Sequence, residues 1–276
     1  MVGFDTGYYR SLVEVFDILK WKEKMMSRVL DKLKSDGLLA FCISIVRYPL
    51  KFLKRKSYEK MLKLGSPKDK FSEIYKNNFW SSSESLSGEG SEVAYTEPLR
   101  KWLVSNILKL KVKDFVDAPC GDYNWMKLVT PKVDINYIGL DIVDSVISKN
   151  IERYQSPKVD FRTANICEDI LPACDIIMVR DCLFHLSDDD INKFLNNLVR
   201  TDYKYLLTTT HKVGHEFKNS NIITGDFRII DLFSEPFNFD SKLVSDRFND
   251  YPKGYSTKRE MILIEKQFVP TSLSNT

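Results

Sequence analysis

The chain has 276 residues, 43% of them apolar and 29% charged, with a net charge of +3. That length supports one large or two small domains around a proper core, and that balance excludes a mainly disordered, collagen-like or coiled-coil protein. No apolar run reaches the ~20 residues needed to span a bilayer, and Asp5, Arg10, Glu14 and Asp17 interrupt the first twenty residues, which therefore do not read as a secretory signal.

Residues 1–64 predict a basic helical arm. Leu12, Val15, Phe16 and Leu19, then Met26, Val29, Leu30 and Leu33, recur at spacings of three and four. Residues 20–63 hold thirteen Lys or Arg against four Asp or Glu, so the positive charge sits here and the remainder is mildly acidic. The apolar stretch 38–46 and the cluster Lys51-Phe-Leu-Lys-Arg-Lys56 have the composition of a membrane-surface helix. An arm packed on its own domain or on a second subunit is the plainer reading. A peripheral contact with the inner membrane face and a homodimer through residues 8–64 are the two expectations.

Residues 65–96 read as an aromatic-flanked Ser/Gly loop region that forms a lid. Ser81 to Ser91 is rich in small polar residues, and Phe71, Tyr75, Phe79, Trp80 and Tyr95 flank it. From 97 to 276 helices and strands alternate. Helices are expected at 97–110, near 124–129, at 144–154 and, with Ser187 as N-cap, at 188–200. Strands are expected at 114–118, 137–141, 159–162, 175–179, 203–209, 241–248 and 260–267, the last two around a Tyr251-Pro-Lys-Gly turn. This order predicts an α/β fold, a Rossmann-like doubly wound sheet, mostly parallel with an antiparallel last strand, plus the N-terminal helical extension. Segment 211–237 is a polar insertion placed to select an acceptor.

Val116-Asp117-Ala118-Pro119-Cys120-Gly121 sets an acidic residue at a strand tip before a tight turn, and Asp141 ends the next strand. A nucleoside ligand needs both, an approachable backbone and a carboxylate for the ribose diol. The three glycines of a dinucleotide fingerprint are lacking, and Asp117 and Asp122 would repel a pyrophosphate. The same carboxylates favour S-adenosyl-L-methionine, whose sulfonium and ammonium groups are cationic. The five cysteines (42, 120, 167, 174 and 182) form no CxxC pair. Neither a metal site nor a disulfide framework is expected, and a cytoplasmic location is the default.

These segments resemble the class I S-adenosylmethionine-dependent methyltransferases. Residues 116–121 are similar to that family's first motif, an acidic residue, any residue, Gly, any residue, Gly. Asp141 matches its ribose-binding position, Thr163-Ala-Asn-Ile-Cys167 its adenine segment, and Val179-Arg-Asp-Cys-Leu-Phe-His-Leu-Ser187 its fourth-strand motif. Pro119 replaces the first glycine, and Asn165 stands where an aspartate is usual. More narrowly, residues 117–126, Ser87-Gly-Glu-Gly-Ser91, Thr209-Thr-His211 and Thr224-Gly-Asp-Phe-Arg228 resemble a bacterial subgroup whose relatives include enzymes of surface-polysaccharide pathways. The resemblance implies S-adenosyl-L-methionine bound by Asp117, Pro119, Gly121, Asp141, Ile142, Asn165, Ile166 and Arg180. It also implies methyl transfer (EC 2.1.1) to an oxygen of a sugar, sugar phosphate or phosphate-bearing metabolite.

Methyl transfer from an activated donor needs positioning and exclusion of water. A base helps a hydroxyl acceptor, and cations hold an acidic one. His211, Asp181 and His185 follow the fourth and fifth strands and are the candidate bases. A capping role for Asp181 and backbone bonding by a packed His185 are the alternatives. Arg228, Trp80 and Asn221 are candidate acceptor-binding residues, with pairing of Arg228 to Asp226 or Asp231 as its alternative. The expected partner is a small molecule and not nucleic acid. The arm is too apolar for a phosphate-tracking stripe, and Arg180-Asp-Cys-Leu183 lacks the Asn/Asp-Pro-Pro-aromatic tetrad of amino-methylating enzymes. A nucleic-acid methyltransferase and a non-catalytic scaffold of this fold stand as the alternative functions.

Overall fold

The computed structural model describes Ser27, residues 53–251 and residues 258–273. Most of the arm expected at 1–64 and most of the turn expected after Tyr251 lie outside the described residues. The chain divides into two units, residues 1–60 and 61–276, and the second carries the sheet.

Seven strands form one sheet: β1 Asp114–Asp117, β2 Asn136–Asp141, β3 Val159–Thr163, β4 Cys174–Val179, β5 Tyr203–His211, β6 Val244–Asn249 and β7 Arg259–Glu265. Their order is β3-β2-β1-β4-β5-β7-β6. Strands β1 to β5 pair in parallel, and β7 runs antiparallel to both β5 and β6. The fold is the expected Rossmann-like α/β sheet with an antiparallel last strand. Its winding reverses between β1 and β4, and that reversal opens a crevice at the carboxyl ends of the strands.

Among the described residues, helices α1 Pro67–Lys76, α2 Val93–Lys109, α3 Asp144–Tyr154 and α4 Asp188–Arg200 accompany the sheet. Strand residues alternate between two buried faces. Phe115, Ile176, Met178, Leu207 and Leu263 pack with Leu99, Leu103 and Ile107 of α2 and Ile147 of α3. Val116, Ile177, Val179, Leu206 and Ile262 pack with Ile191, Phe194, Leu195 and Leu198 of α4. Each such Leu, Ile or Phe contributes about 2 kcal/mol relative to exposure.

Helix α1 falls inside the region read as loop. Its start was nonetheless marked locally. The Ser66 hydroxyl accepts from the Asp69 N–H at 3.1 Å, and Pro67 takes the first helical position, where no donor is needed. The helix expected near 124–129 is instead two short 3-10 turns, Met126–Leu128 and Thr130–Lys132. Pro131 supplies no N–H to a continuing helix. Segment 211–237 forms neither helix nor sheet beyond His211, yet its Ile230, Leu232 and Phe237 are buried against α4's side of the sheet.

Candidate active site

The turn after β1 shapes one end of the crevice. Gly121 has φ +55°, and a Cβ there would collide with Ser87 Oγ. Glycine therefore lets the 81–91 loop seat directly on the turn. Asp122 pins that loop, accepting from Ser85 Oγ at 2.9 Å and the Leu86 N–H at 2.8 Å. Glu84 braces it from the other side, accepting from the Val93 N–H at 2.8 Å and the Asn124 amide at 2.6 Å. Lys68 ties α1 to Asp144 of α3 at 2.7 Å. Residues 65–96 thus contribute a helix and a tethered loop to the crevice wall.

The crevice has two adjoining chambers. The first, about 670 Å³ counting its open mouth, is lined by Asp141, Ile142, Ala164, Asn165, Ile166 and Cys167 and by Pro67 and Phe71 of α1. The second, about 960 Å³, includes Gly88 to Ser91, Asp117, Gly121, Arg180, Phe227 and Arg259. Tyr75, Trp80, Pro119, Asp181 and His185 line both.

Two strand-tip carboxyls are buried. Asp141 accepts from the Gly121 N–H at 3.2 Å and the Val143 N–H at 3.0 Å, and burial pushes its pKa up to about 6. Asp117 accepts from the Tyr137 hydroxyl at 2.7 Å. Burial pushes it up to about 7, opposed by Tyr137 and Arg180 and helped by Asp141. Such carboxyls ionise readily when a cation arrives.

The tip of β4 is more highly charged. Asp181 has φ +52°, its N–H donates to Thr209 Oγ1 at 2.9 Å, and Thr209 Oγ1 donates back to its carboxylate at 3.1 Å. Burial pushes the carboxyl up, but Arg180, Arg259 and Thr209 together hold it below the usual range. Arg180 donates to Asp250 at 2.8 Å and to the Gly90 carbonyl at 2.8 Å. Arg259 Nη2 lies 2.8 Å from Asp181 Oδ2.

His185 Nδ1 lies 2.8 Å from the Asp226 carbonyl. A carbonyl only accepts, so Nδ1 carries the proton and Nε2 keeps a lone pair. Burial lowers the imidazole pKa, against the Asp226 carbonyl and Asp181, which raise it. The ring is therefore neutral at pH 7. Trp80, Phe184 and Phe227 surround it at 5.5, 4.6 and 5.9 Å between ring centres.

Eleven residues named from the sequence line the crevice: Trp80, Asp117, Pro119, Gly121, Asp141, Ile142, Asn165, Ile166, Arg180, Asp181 and His185. Three do not. His211 is buried at the end of β5, where Nδ1 accepts from the Ile230 N–H at 3.1 Å and the ring packs 5.2 Å from Phe184. Arg228 is a buried clamp, donating to Asp188 at 2.6 Å and to the carbonyls of Ser220 and Leu186 at 2.7 and 2.9 Å. Its partner is neither Asp226 nor Asp231. Asn221 caps α4, accepting from the Asp188 N–H at 2.9 Å. Arg228 and Asn221 share a physical reason, since the insertion folds back on the N-terminus of α4 and spends its polar groups there, while Ile230 of the same insertion pairs with His211. Of the insertion, Phe227 lines the second chamber. Arg259, Tyr75 and Phe227 were missed as site residues. Arg259 arrives by antiparallel pairing opposite His211, and no local pattern announces it.

Solved structures similar to this chain include methyltransferases. A 1,6-didemethyltoxoflavin N1-methyltransferase from Burkholderia thailandensis, with its substrate and S-adenosylhomocysteine bound, matches with a TM-score of 0.54 at 13% identity, over 73% of this chain and 91% of its own. Magnesium protoporphyrin IX methyltransferase from Synechocystis, with S-adenosylmethionine bound, gives 0.51 at 9% identity, over 73% and 99%. A Leishmania major S-adenosylmethionine-dependent methyltransferase gives 0.50 at 14% identity, over 76% and 90%. The chain has the class I methyltransferase fold. No protein-family model matches it, and no curated protein matches it in sequence.

Proposed function

We propose that this protein is an S-adenosylmethionine-dependent methyltransferase acting on an oxygen of a small molecule. One observation carries the reading: Asp181 and His185 line both chambers, so a donor that lies along the first and reaches into the second meets an acceptor there beside a carboxylate and an imidazole with an open acceptor nitrogen. The residues present fit the cofactor. Asp141 is buried and placed for a ribose diol, Ile142, Asn165 and Ile166 offer an adenine wall, and Asp117, Gly121 and Arg180 line the far end. When bound, S-adenosylmethionine supplies a methyl on positively charged sulfur, released to a nucleophile as the carbon–sulfur bond breaks and its electron pair stays on sulfur.

The chain's own contribution is positional and electrostatic. Trp80 and Tyr75 exclude water from the junction. Nε2 of His185 takes the hydroxyl proton of the acceptor. Asp181, held ionised, favours positive charge beside it. Transfer to a sugar or sugar phosphate of a surface-polysaccharide pathway is the finer form of the proposal, and its support is the narrower motif resemblance. A cytoplasmic site, with membrane contact or dimerisation through residues 8–64, also belongs to the proposal. Among the described residues no helix is long and apolar enough to cross a membrane.

Calorimetric titration of the full chain with S-adenosylmethionine and S-adenosylhomocysteine tests the reading. Binding of both is expected, with at least a tenfold loss in Asp141→Ala. A folded protein with no affinity for either compound refutes it.

A further inference from the structure

The second chamber holds two guanidinium groups in contrasting states. Arg180 is fully engaged by Asp250 and Gly90. Arg259 pairs through Nη2 with the Asp181 carboxylate, and its Nε is buried without a hydrogen-bond partner among the described residues. Its charge is balanced by Asp181 at 2.8 Å, with Asp250 at 3.9 Å. The guanidinium lies 5.3 Å from the Tyr95 ring centre, which fixes where the plane sits. Gly90 leaves it room, since a Cβ there would come within 2.7 Å of Nη2. Buried donors in native proteins are nearly always satisfied, and a guanidinium that lines a chamber with a donor still unmatched suits an oxyanion.

The walls beside Arg259 are flat. Trp80, Phe184 and Phe227 surround His185 and line the same chamber. Such faces stack on an aromatic ring or on the apolar face of a sugar. The ion pairs of this corner, Arg180 and Arg259 against Asp181 and Asp250, cancel pairwise, and Glu89 and Asp117 also line the chamber. A bound sulfonium adds one positive charge, which an anionic acceptor offsets.

We propose that Arg259 is the acceptor anchor: it binds an oxyanion carried by a ring whose hydroxyl faces His185. The inference rests on the methyltransferase reading and names the substrate class of that site, a hydroxylated ring bearing a carboxylate or phosphate.

The test uses the full chain saturated with S-adenosylhomocysteine. Benzoate, benzyl alcohol and benzylamine share one ring and differ in charge, and glucose 6-phosphate represents the sugar source. Each is titrated by calorimetry. Benzoate or glucose 6-phosphate is expected to bind at least tenfold more tightly than the neutral and cationic probes, and which of the two binds identifies the ring. In Arg259→Gln that preference should shrink to within twofold, while affinity for S-adenosylhomocysteine changes less than twofold. Gly90→Ala keeps the guanidinium but crowds it, and should produce the same loss, which covers the case in which Arg259→Gln fails to fold. The inference is overturned if no probe binds, if benzyl alcohol or benzylamine binds as tightly, or if the anion preference survives both variants. If the wild type ignores S-adenosylhomocysteine, the methyltransferase reading fails, and the same titrations on the unliganded chain still report whether Arg259 selects an anion.

Discussion

Asp117 and Asp141 sit side by side at the tips of β1 and β2, and their protons leave only near pH 7 and pH 6. An unfolded aspartate ionises near pH 3.9, so the native chain holds protons the unfolded chain has lost. Both folded pKa values are raised. Their contribution to stability is full below about pH 4 and is lost as the pH rises toward 7. A cation placed among Asp117, Asp141 and Arg180 should lower the pKa of Asp117 and expel its proton. Binding of S-adenosylmethionine at pH 6.5 is therefore expected to release protons, and binding of S-adenosylhomocysteine, which lacks the sulfonium, fewer. Calorimetry in buffers of different ionisation enthalpy reads this directly, and equal release for the two compounds would count against it. His185 responds in the opposite sense. Burial lowers its pKa, so the neutral base persists below the ordinary value of about 6.5. His185→Gln should cost about 10²- to 10⁴-fold in kcat and abolish the acid limb of the pH–rate profile. An unchanged limb would assign that titration to another group.

Between β5 and β6 the chain runs without α-helix or strand, yet this stretch is firmly tied. Arg228 ties it to the start of α4 through Asp188 and Leu186, and to its own earlier part through Ser220. Arg228→Ala leaves Asp188 and two carbonyls without their donor, and should cost about 3 kcal/mol of stability. The expected signature is a lower melting temperature with affinity for S-adenosylhomocysteine retained. A variant that melts like the wild type but loses acceptor use would restore the sequence expectation. That expectation shows where reading from residues alone stops. A polar insertion looks the same whether its groups face a ligand or cap a helix. Ser187 was legible as the N-cap of α4 because its acceptor role is local, to Asp190. Asn221 and Thr224 serve the same helix end from more than thirty residues away, through the Asp188 and Ser187 N–H groups. Helix α1 was legible in principle, since Ser66-Pro67 marks its start, but the Ser-rich stretch after it dominated the reading.

Across the whole molecule, what the sequence discloses follows from which contacts are local. Alternating faces such as Phe115 and Val116, or Ile176 and Ile177, are set by the two-residue period of a strand, and the two layers of helices follow from them. The first chamber is built largely from turns directly after β1, β2 and β3, so its residues carry a readable motif. The second chamber, the proposed acceptor side, takes in Trp80, Phe227 and Arg259, which only the folded chain brings together. Arg259 stands opposite His211 in the pairing of β5 with β7, and Glu260 stands opposite Thr210. Successive side chains of a strand point to opposite sides. Sliding β7 by one position would present Glu260 where Arg259 now stands. The charge offered to the crevice is thus tied to strand register: a one-residue slip that brings Glu260 opposite His211 would set a carboxylate where the guanidinium now stands.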